Sequence, residues 1–203
     1  MSTSDPAARV RERFAPDILA EGDFRGEKSF SIKLETLHDI ARFCRDELGF
    51  NYLVDITSID HFGQDPRFEL VYELYAMDHG VHLRLKAMLP GEDNAVGPTV
   101  SDLWPTADWH EREIYDMMGI RFDGHPDLRR ILMWEGYPYH PLRKDFPLEG
   151  KPSEVAEVAF TEAAPLAGGP FVTVPTDGIT EVREPRARRA GDELPHGKFL
   201  SDS

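Results

Sequence analysis

The sequence predicts an α+β fold in two layers, with helices on one face of a mixed or antiparallel sheet and an extended C-terminal tail. Three strand-like runs, 52–59, 68–77 and 81–89, follow a helix-like apolar stripe over residues 37–48. Only Asp78-His79-Gly80 separates the last two runs, a length that suits a β-hairpin, so at least this pair is antiparallel. A second helical segment follows the strands, and this order of elements is typical of an α+β domain.

The N-terminal part of the chain predicts one helix and one strand. An apolar pattern over residues 6–20, interrupted by Pro16, indicates a short helix, so residues 1–24 are expected to form a helical extension. Apolar side chains then alternate with polar ones over residues 30–34, which predicts a strand. The domain proper is expected to span residues 25–150.

The helix at 37–48 has recognisable ends. Thr36 suits the N-cap position, with Asp39 three residues on, and Gly49 is placed to end the helix. Cys44 lies within the apolar stripe and is the only cysteine of the chain. We therefore expect a buried thiol, no internal disulfide, and no iron–sulfur cluster held by this chain alone, because such clusters usually take four thiolates.

Composition limits the classes of function. The net charge is −14, which argues against binding to nucleic acid or to an anionic lipid surface, since phosphate binding needs clustered cations. No run of signal-peptide or membrane-span length is present, so a cytoplasmic location with membrane association only through a partner is expected. Residues 151–203 are rich in proline and lack a helical stripe, which predicts an extended, partner-binding tail.

Residues 109–118 combine charged and large apolar side chains on one predicted helix that ends at Gly119. Arg112 and Asp116 are one turn apart, which predicts a salt bridge on one helical face, and we expect it to be buried. Beyond a turn at Asp123-Gly124, Pro126 is expected to begin a short helix with Arg129 and Arg130 on its exposed side.

The usual motifs of enzymes are missing from this region. His110-Glu111 begins like a zinc-protease helix, but position 114, where the second histidine would stand, is Ile114. The sequence contains neither a phosphate-binding loop before Lys151 nor a dinucleotide-binding glycine pattern. No catalytic, cofactor-binding or metal-binding residue is therefore predicted.

Two blocks of residues nevertheless form a pattern. The first block consists of Glu111, Arg112, Glu113, Asp116, His125, Arg129, Ile131 and Leu132, and the second contains His140, Arg143, Lys144 and Asp145. In this order they resemble the two signatures of the 30-kilodalton-class subunit of respiratory complex I, the C subunit of bacterial NADH-quinone oxidoreductase. The resemblance covers roughly residues 25 to 150.

The resemblance implies a non-redox structural subunit in the peripheral arm of a proton-translocating NADH:quinone oxidoreductase. Its expected partners are the large quinone-site subunit, which is related to hydrogenase large subunits, and other subunits of that arm. FMN, the iron–sulfur clusters and the quinone belong to partner subunits, so this chain needs no cofactor and has no activity alone. The complex places it at the cytoplasmic face of the cell inner membrane.

Two questions stay open at this level. The signature residues either brace the domain internally or contact a partner, and for residues 140–145 the neighbouring prolines favour a rigid segment that presents side chains to a partner. The same subunit could also serve a membrane-bound hydrogenase or a ferredoxin-dependent quinone reductase. An independent soluble enzyme is the remaining class, and only that class predicts turnover by the purified chain.

Overall fold

The computed structural model describes residues 5–91, 94–134, 136–148 and 150. The chain divides into two units, Met1–Asp145 and Phe146–Ser203, and every helix and strand described below lies in the first. The predicted tail at 151–203 lies outside the described residues.

The core of the fold is a mixed sheet of five strands. These are β1 (Ile18–Phe24), β2 (Glu27–Ile32), β3 (Tyr52–Asp60), β4 (Phe68–Ala76) and β5 (Val81–Leu89), arranged in the order β1-β2-β5-β4-β3. β2 runs parallel to β5, whereas the other neighbouring pairs are antiparallel. The predicted β4–β5 hairpin is confirmed.

Three helices complete the second layer: α1 (Pro6–Phe14), α2 (Leu37–Leu48) and α3 (Ala107–Met118). Their apolar side chains join one buried cluster with alternate residues of β2 to β5. Charged residues such as Glu73 and Arg84 stand at the intervening positions, on the other face of the sheet. The two-layer α+β prediction is therefore confirmed, and no helix of the described residues is long and apolar enough to cross a membrane.

Helix α2 follows its sequence pattern closely. Cys44 is buried, as predicted, and Gly49 ends the helix in the left-handed conformation at φ 77°. Thr36 stands at the N-cap position but does not cap the helix, because its hydroxyl donates instead to the carbonyl of Lys33 at 3.2 Å. That hydrogen bond belongs to a short 3-10 turn, Leu34–Thr36, which precedes α2.

The prediction of a helix over residues 6–20 is wrong in its second half. Helix α1 stops at Phe14, a 3-10 turn containing Pro16 follows, and Ile18 begins strand β1. β1 lies at an edge of the sheet and is almost wholly exposed, so its sequence carries no inward and outward alternation that would reveal a strand. The N-terminal segment thus contributes both a helix and a sheet strand to this unit.

The segment between β5 and α3 contains a further short strand, β6 (Val96–Pro98), which pairs in parallel with β7 (Arg121–Asp123). Gly97 allows this pairing close to the sheet, because a Cβ there would lie 2.8 Å from a methyl carbon of Leu70. The pairing was not foreseen since each strand has three residues and its partner is distant in sequence. Strands β6 and β7 precede and follow α3 in the chain.

No helix forms at Pro126, contrary to the sequence prediction. A helix there would need the amides of residues 131–133 for its own carbonyl groups. Those amides donate instead to the side chain of Asp116, so residues 124–134 follow an irregular path around the end of α3.

Candidate functional site

The carboxylate of Asp116 is the centre of the first signature block. Its Oδ2 accepts hydrogen bonds from the amides of Ile131, Leu132 and Met133 at 3.0, 2.7 and 2.8 Å, and Arg130 donates to Oδ1 at 2.6 Å. The side chain is fully buried. Burial alone would raise the pKa of Asp116, but these four donors together outweigh it and hold the pKa below its usual value. The group is therefore a buried carboxylate.

Arg130 connects Asp116 to Tyr139, the residue that precedes the second block. Besides the carboxylate, its guanidinium donates to the carbonyl oxygens of Asp116 and Tyr139, each at 3.0 Å. It also lies over the ring of Tyr137, 5.7 Å from the centroid. The side chain is 15% exposed, so the prediction that Arg130 lies on an exposed helical side is wrong.

The second block closes the C-terminal end of α3. The last carbonyl groups of a helix lack partners within it, and here three of them accept from residues 140–143. His140 donates through Nδ1 to the carbonyl of Asp116 at 2.9 Å, and the amide of Leu142 donates to that of Met117 at 3.1 Å. Arg143 donates through Nε to the Met118 carbonyl at 2.7 Å. A cation at this end of a helix also complements its dipole.

Gly119 makes this close approach possible. It follows α3 in the left-handed conformation, at φ 76°, as the sequence predicted. A Cβ at this position would lie 2.6 Å from Cδ2 of His140 and 2.9 Å from Nη2 of Arg143. Glycine is thus required both by its backbone angle and by the side chains that pack over it. Burial lowers the pKa of His140, which favours the neutral ring that these contacts use.

Glu111 anchors the other end of α3. Its fully buried carboxyl group accepts from the hydroxyl of Thr99 at 2.5 Å and from the amide of Val100 at 2.7 Å. Burial raises the pKa of Glu111 to about 7, although these two hydrogen bonds act in the opposite direction. The group holds the segment after β6 against the helix.

His125 is buried beside Glu111, with Nε2 3.9 Å from its Oε2. The amide of Asp127 donates to Nδ1 of His125 at 3.0 Å, so Nδ1 is an acceptor and the proton sits on Nε2. Nε2 then donates to the carbonyl of Asp108 at 3.2 Å. His125 therefore fixes the turn after β7 against the first turn of α3.

The predicted salt bridge between Arg112 and Asp116 is not formed. Arg112 lies 3.7 Å from Asp108, one turn earlier on α3, and stacks 5.0 Å from the centroid of Trp109. Its Nε donates to the carbonyl of Arg129 at 3.3 Å. The predicted burial is confirmed for both residues, since Arg112 is 7% exposed and Asp116 0%. Asp116 faces the amides of residues 131–133 instead, where three backbone donors converge on one carboxylate oxygen.

Sequence reasoning missed a second buried ion pair, Asp60 with Arg67. Arg67 donates to both carboxylate oxygens of Asp60 at 2.8 Å, and the amide of Lys144 donates to Oδ2 at 2.8 Å. Arg67 also pairs with Asp145 of the second block, and this guanidinium lowers the pKa of both carboxyl groups. One signal was available, because the alternation of β3 that turns Ile56 inward also turns Asp60 inward.

The remaining signature side chains face outward. Glu113, Leu132, Lys144 and Arg129 are exposed, and Arg129 pairs with Asp127 at 2.8 Å on the surface. Ile131 is half-buried. The two blocks thus provide an inner set that contacts backbone groups of this chain and an outer set that is open to a partner. Among the described residues, no group of three or more His, Cys, Asp or Glu side chains is placed to hold a metal ion.

Most of the described chain matches the model of a known family. The family model described as "Respiratory-chain NADH dehydrogenase, 30 Kd subunit" matches residues 30–152. The chain belongs to this family. An NADH-quinone oxidoreductase C subunit from Geobacter sulfurreducens is 46% identical over 147 residues, covering 72% of this chain and 90% of that protein. An NADH-quinone oxidoreductase C 2 subunit from Rhizobium meliloti is 49% identical over 131 residues, covering 64% of this chain and 71% of that protein.

A similar chain occurs in another kind of respiratory assembly. It belongs to the structure of the membrane-bound sulfane sulfur reductase, an archaeal respiratory membrane complex, and has 27% sequence identity to this one with a TM-score of 0.60. The match covers 70% of this chain and 84% of that chain. Together with the bacterial relatives, it indicates a subunit of a multi-subunit respiratory complex.

Proposed function

We propose that this chain is a non-redox structural subunit in the peripheral arm of a proton-translocating NADH:quinone oxidoreductase. It braces the large quinone-site subunit, which is related to hydrogenase large subunits, and contacts other subunits of that arm. FMN, the iron–sulfur clusters and the quinone are carried by the partners, through which electrons pass from NADH. The complex holds the chain at the cytoplasmic face of the cell inner membrane.

The surroundings of Asp116 carry the proposal. A catalytic carboxylate needs access to substrate and a pKa suited to proton transfer. Asp116 is buried, has a lowered pKa, and directs both oxygens at groups of its own chain. A side chain in this state orders the polypeptide, which suits a bracing subunit.

Cys44 supports the assignment of the redox groups to partners. A cysteine must be a thiolate to bind an iron–sulfur cluster. Burial raises the pKa of Cys44 to about 12, so it remains a thiol, packed as a small apolar side chain within α2. The sequence has no second cysteine to help it.

Purification of the tagged chain from membranes of its own organism tests the proposal. We expect the flavin, cluster and quinone-site subunits to copurify in equal amounts, and the chain produced alone to show no visible absorption. Stoichiometric flavin or cluster absorption in the isolated chain, or turnover by it, would instead support an independent enzyme. Recovery of the chain from membranes without those subunits would contradict the proposal.

A second candidate is the same bracing role in a different respiratory membrane complex, such as a membrane-bound hydrogenase or a ferredoxin-dependent quinone reductase. The similarity to a chain of the sulfane sulfur reductase supports this second candidate. The copurifying proteins separate the two candidates, because only the first includes a flavoprotein that oxidises NADH.

A further inference from the structure

Strand β3 forms one edge of the main sheet, and within the described part of the chain no strand pairs with its outer side. His61 donates its amide to the carbonyl of Arg67 at 2.8 Å, which identifies this pair as one of the hydrogen-bonded pairs of the β3–β4 ladder. Such pairs alternate along an antiparallel ladder. The amides and carbonyls of Ile56 and Ser58 therefore point away from β4, and no described strand lies on that side. Such an edge can accept another strand.

A cleft runs beside this edge, between β3 and α3. Its volume is about 120 Å³, and its lining includes Ile56, Ile114, Met117 and Leu142. An apolar cavity of about 150 Å³ is known to hold a benzene molecule, so this cleft has room for one aliphatic side chain. A free strand edge beside a helix is the arrangement by which several domains bind an extended peptide as an additional strand.

The rim of the cleft is acidic. Asp55 lines it from β3 and Glu113 from α3, and both side chains are exposed. Asp55 lies 3.2 Å from His110, whereas Glu113 forms no ion pair with any residue in the described part of the chain. Glu113 is a signature residue, yet it contributes nothing to the polar contacts that close α3. A cation beside the cleft would face both carboxylates.

We propose that this β3–α3 cleft binds an extended segment of a partner subunit that carries a lysine or arginine next to an aliphatic residue. The segment pairs with the outward backbone groups of Ile56 and Ser58, the aliphatic side chain enters the cleft, and the cation lies between Asp55 and Glu113. The inference rests on the proposed function, because it takes the partner to be a subunit of the same complex.

The opposite edge of the sheet differs in its charged side chains. On β1, Glu21 accepts two hydrogen bonds from Arg11, and Asp23 pairs with Lys28. Charged side chains on an edge strand protect it against additional pairing, and both of these carboxylates already face a cation of their own chain. The contrast between the two edges provides a matched control.

Cross-linking in the intact complex tests the inference. A photoreactive benzoylphenylalanine replaces Leu142, which lines the cleft and is 59% exposed, and in a control it replaces Leu19, which is 62% exposed on β1. After illumination of the purified complex, we expect position 142 to capture one partner peptide with a lysine or arginine within two residues of the adduct. Capture of residues 151–203 of this chain, capture of a segment without such a cation, or no capture at position 142 while the complex is intact would overturn the inference.

A charge reversal provides the second test. Asp55→Lys with Glu113→Lys is compared with Glu35→Lys and Asp39→Lys, which changes the net charge equally at exposed positions near α2. Each variant competes with differently tagged wild type for incorporation into the complex. We expect the cleft variant to be depleted about tenfold and the control to incorporate equally, because like charges facing each other across an interface oppose binding. Equal incorporation of both variants, both folded as judged by circular dichroism, would overturn the inference.

These outcomes are separate from failure of the proposed function. If wild type copurifies with the redox subunits but position 142 captures nothing, the proposed function stands and only the cleft assignment fails. If wild type copurifies with none of them, the proposed function itself fails.

Discussion

At the scale of single residues, Asp116 accepts four hydrogen bonds through its buried carboxylate. Its removal leaves three amides without an acceptor in a buried place and leaves the guanidinium of Arg130 without its counter-ion. We expect Asp116→Ala to lower the free energy of unfolding by about 3–5 kcal/mol, the cost typical of stranding a buried charge. Urea denaturation measures this loss.

The matched control for Asp116 is Asp127→Ala, which removes the acid of an exposed ion pair with Arg129. This variant should lower the free energy of unfolding by less than about 1 kcal/mol. Adding Arg112→Met to Asp116→Leu should not restore stability, because Arg112 is not the partner of Asp116. A full recovery in that double variant would show that the two side chains form a pair after all.

Glu111 predicts a pH dependence whose sign follows from its raised pKa. The carboxyl group has a pKa of about 7 in the folded chain against 4.5 as the reference, so between these values the folded state binds more protons. The contribution of Glu111 is therefore fully present below about pH 4.5 and is lost as pH rises through about 7. Glu111→Gln, which cannot ionise, should be more stable than wild type by about 3 kcal/mol at pH 8 and not at pH 4.5.

Urea denaturation of Glu111→Gln and wild type at several pH values between 4.5 and 8 measures this difference directly. Glu113→Gln on the same helix is the control, because it makes the same substitution at an exposed position. If the Glu111→Gln difference does not vary with pH, the buried carboxyl group is ionised throughout and its surroundings are more polar than the structure indicates.

At the scale of elements, the end of α3 differs from the end of α2 in what packs on its terminal glycine. Gly49 and Gly119 have nearly equal φ values, 77° and 76°, but a Cβ at Gly49 meets only His79 at 3.8 Å, whereas one at Gly119 meets His140 at 2.6 Å. We expect Gly49→Ala to cost about 1–2 kcal/mol from the left-handed conformation alone. Gly119→Ala should cost at least about 1 kcal/mol more, since His140 must also move.

The comparison of these two alanine variants by urea denaturation isolates the packing of the second signature block on α3. Equal losses of unfolding free energy in the two variants would mean that His140 and Arg143 do not pack against Gly119 in solution. A larger loss at Gly119 would confirm that the end of α3 is built to receive them.

The elements that the sequence predicted are those whose signals are local. The apolar stripe of α2, the short turn between β4 and β5, and the glycines at positions 49 and 119 each act within a few residues. The β6–β7 pair and the irregular segment after Pro126 depend on partners that are distant in sequence. Strand β1 pairs with the neighbouring β2, but it is too exposed to show the alternation that reveals a strand. For the site, the sequence predicted that Arg112 and Asp116 are buried, but spacing alone could not show that Asp116 prefers the amides of residues 131–133.

At the scale of the whole molecule, the two signature blocks form one structure around α3. Glu111 and His125 hold its first part, while Asp116, Arg130 and the 140–143 segment hold its end. The Asp60–Arg67 pair fastens the same segment to the sheet through Lys144 and Asp145. The inner residues thus order the chain, and the outer residues stay exposed on its surface.

Hydrogen exchange of the isolated chain tests this central claim most directly. The amides of Ile131, Leu132, Met133 and Lys144 lie outside any helix or strand, and each donates to a buried carboxylate of this chain. We predict that without any partner they are protected to a degree approaching that of the central strand β4, and that Asp116→Asn removes the protection at residues 131–133. Exchange of these amides in wild type at the rate of an unstructured peptide would contradict the account and show that the signature blocks take this structure only on a partner.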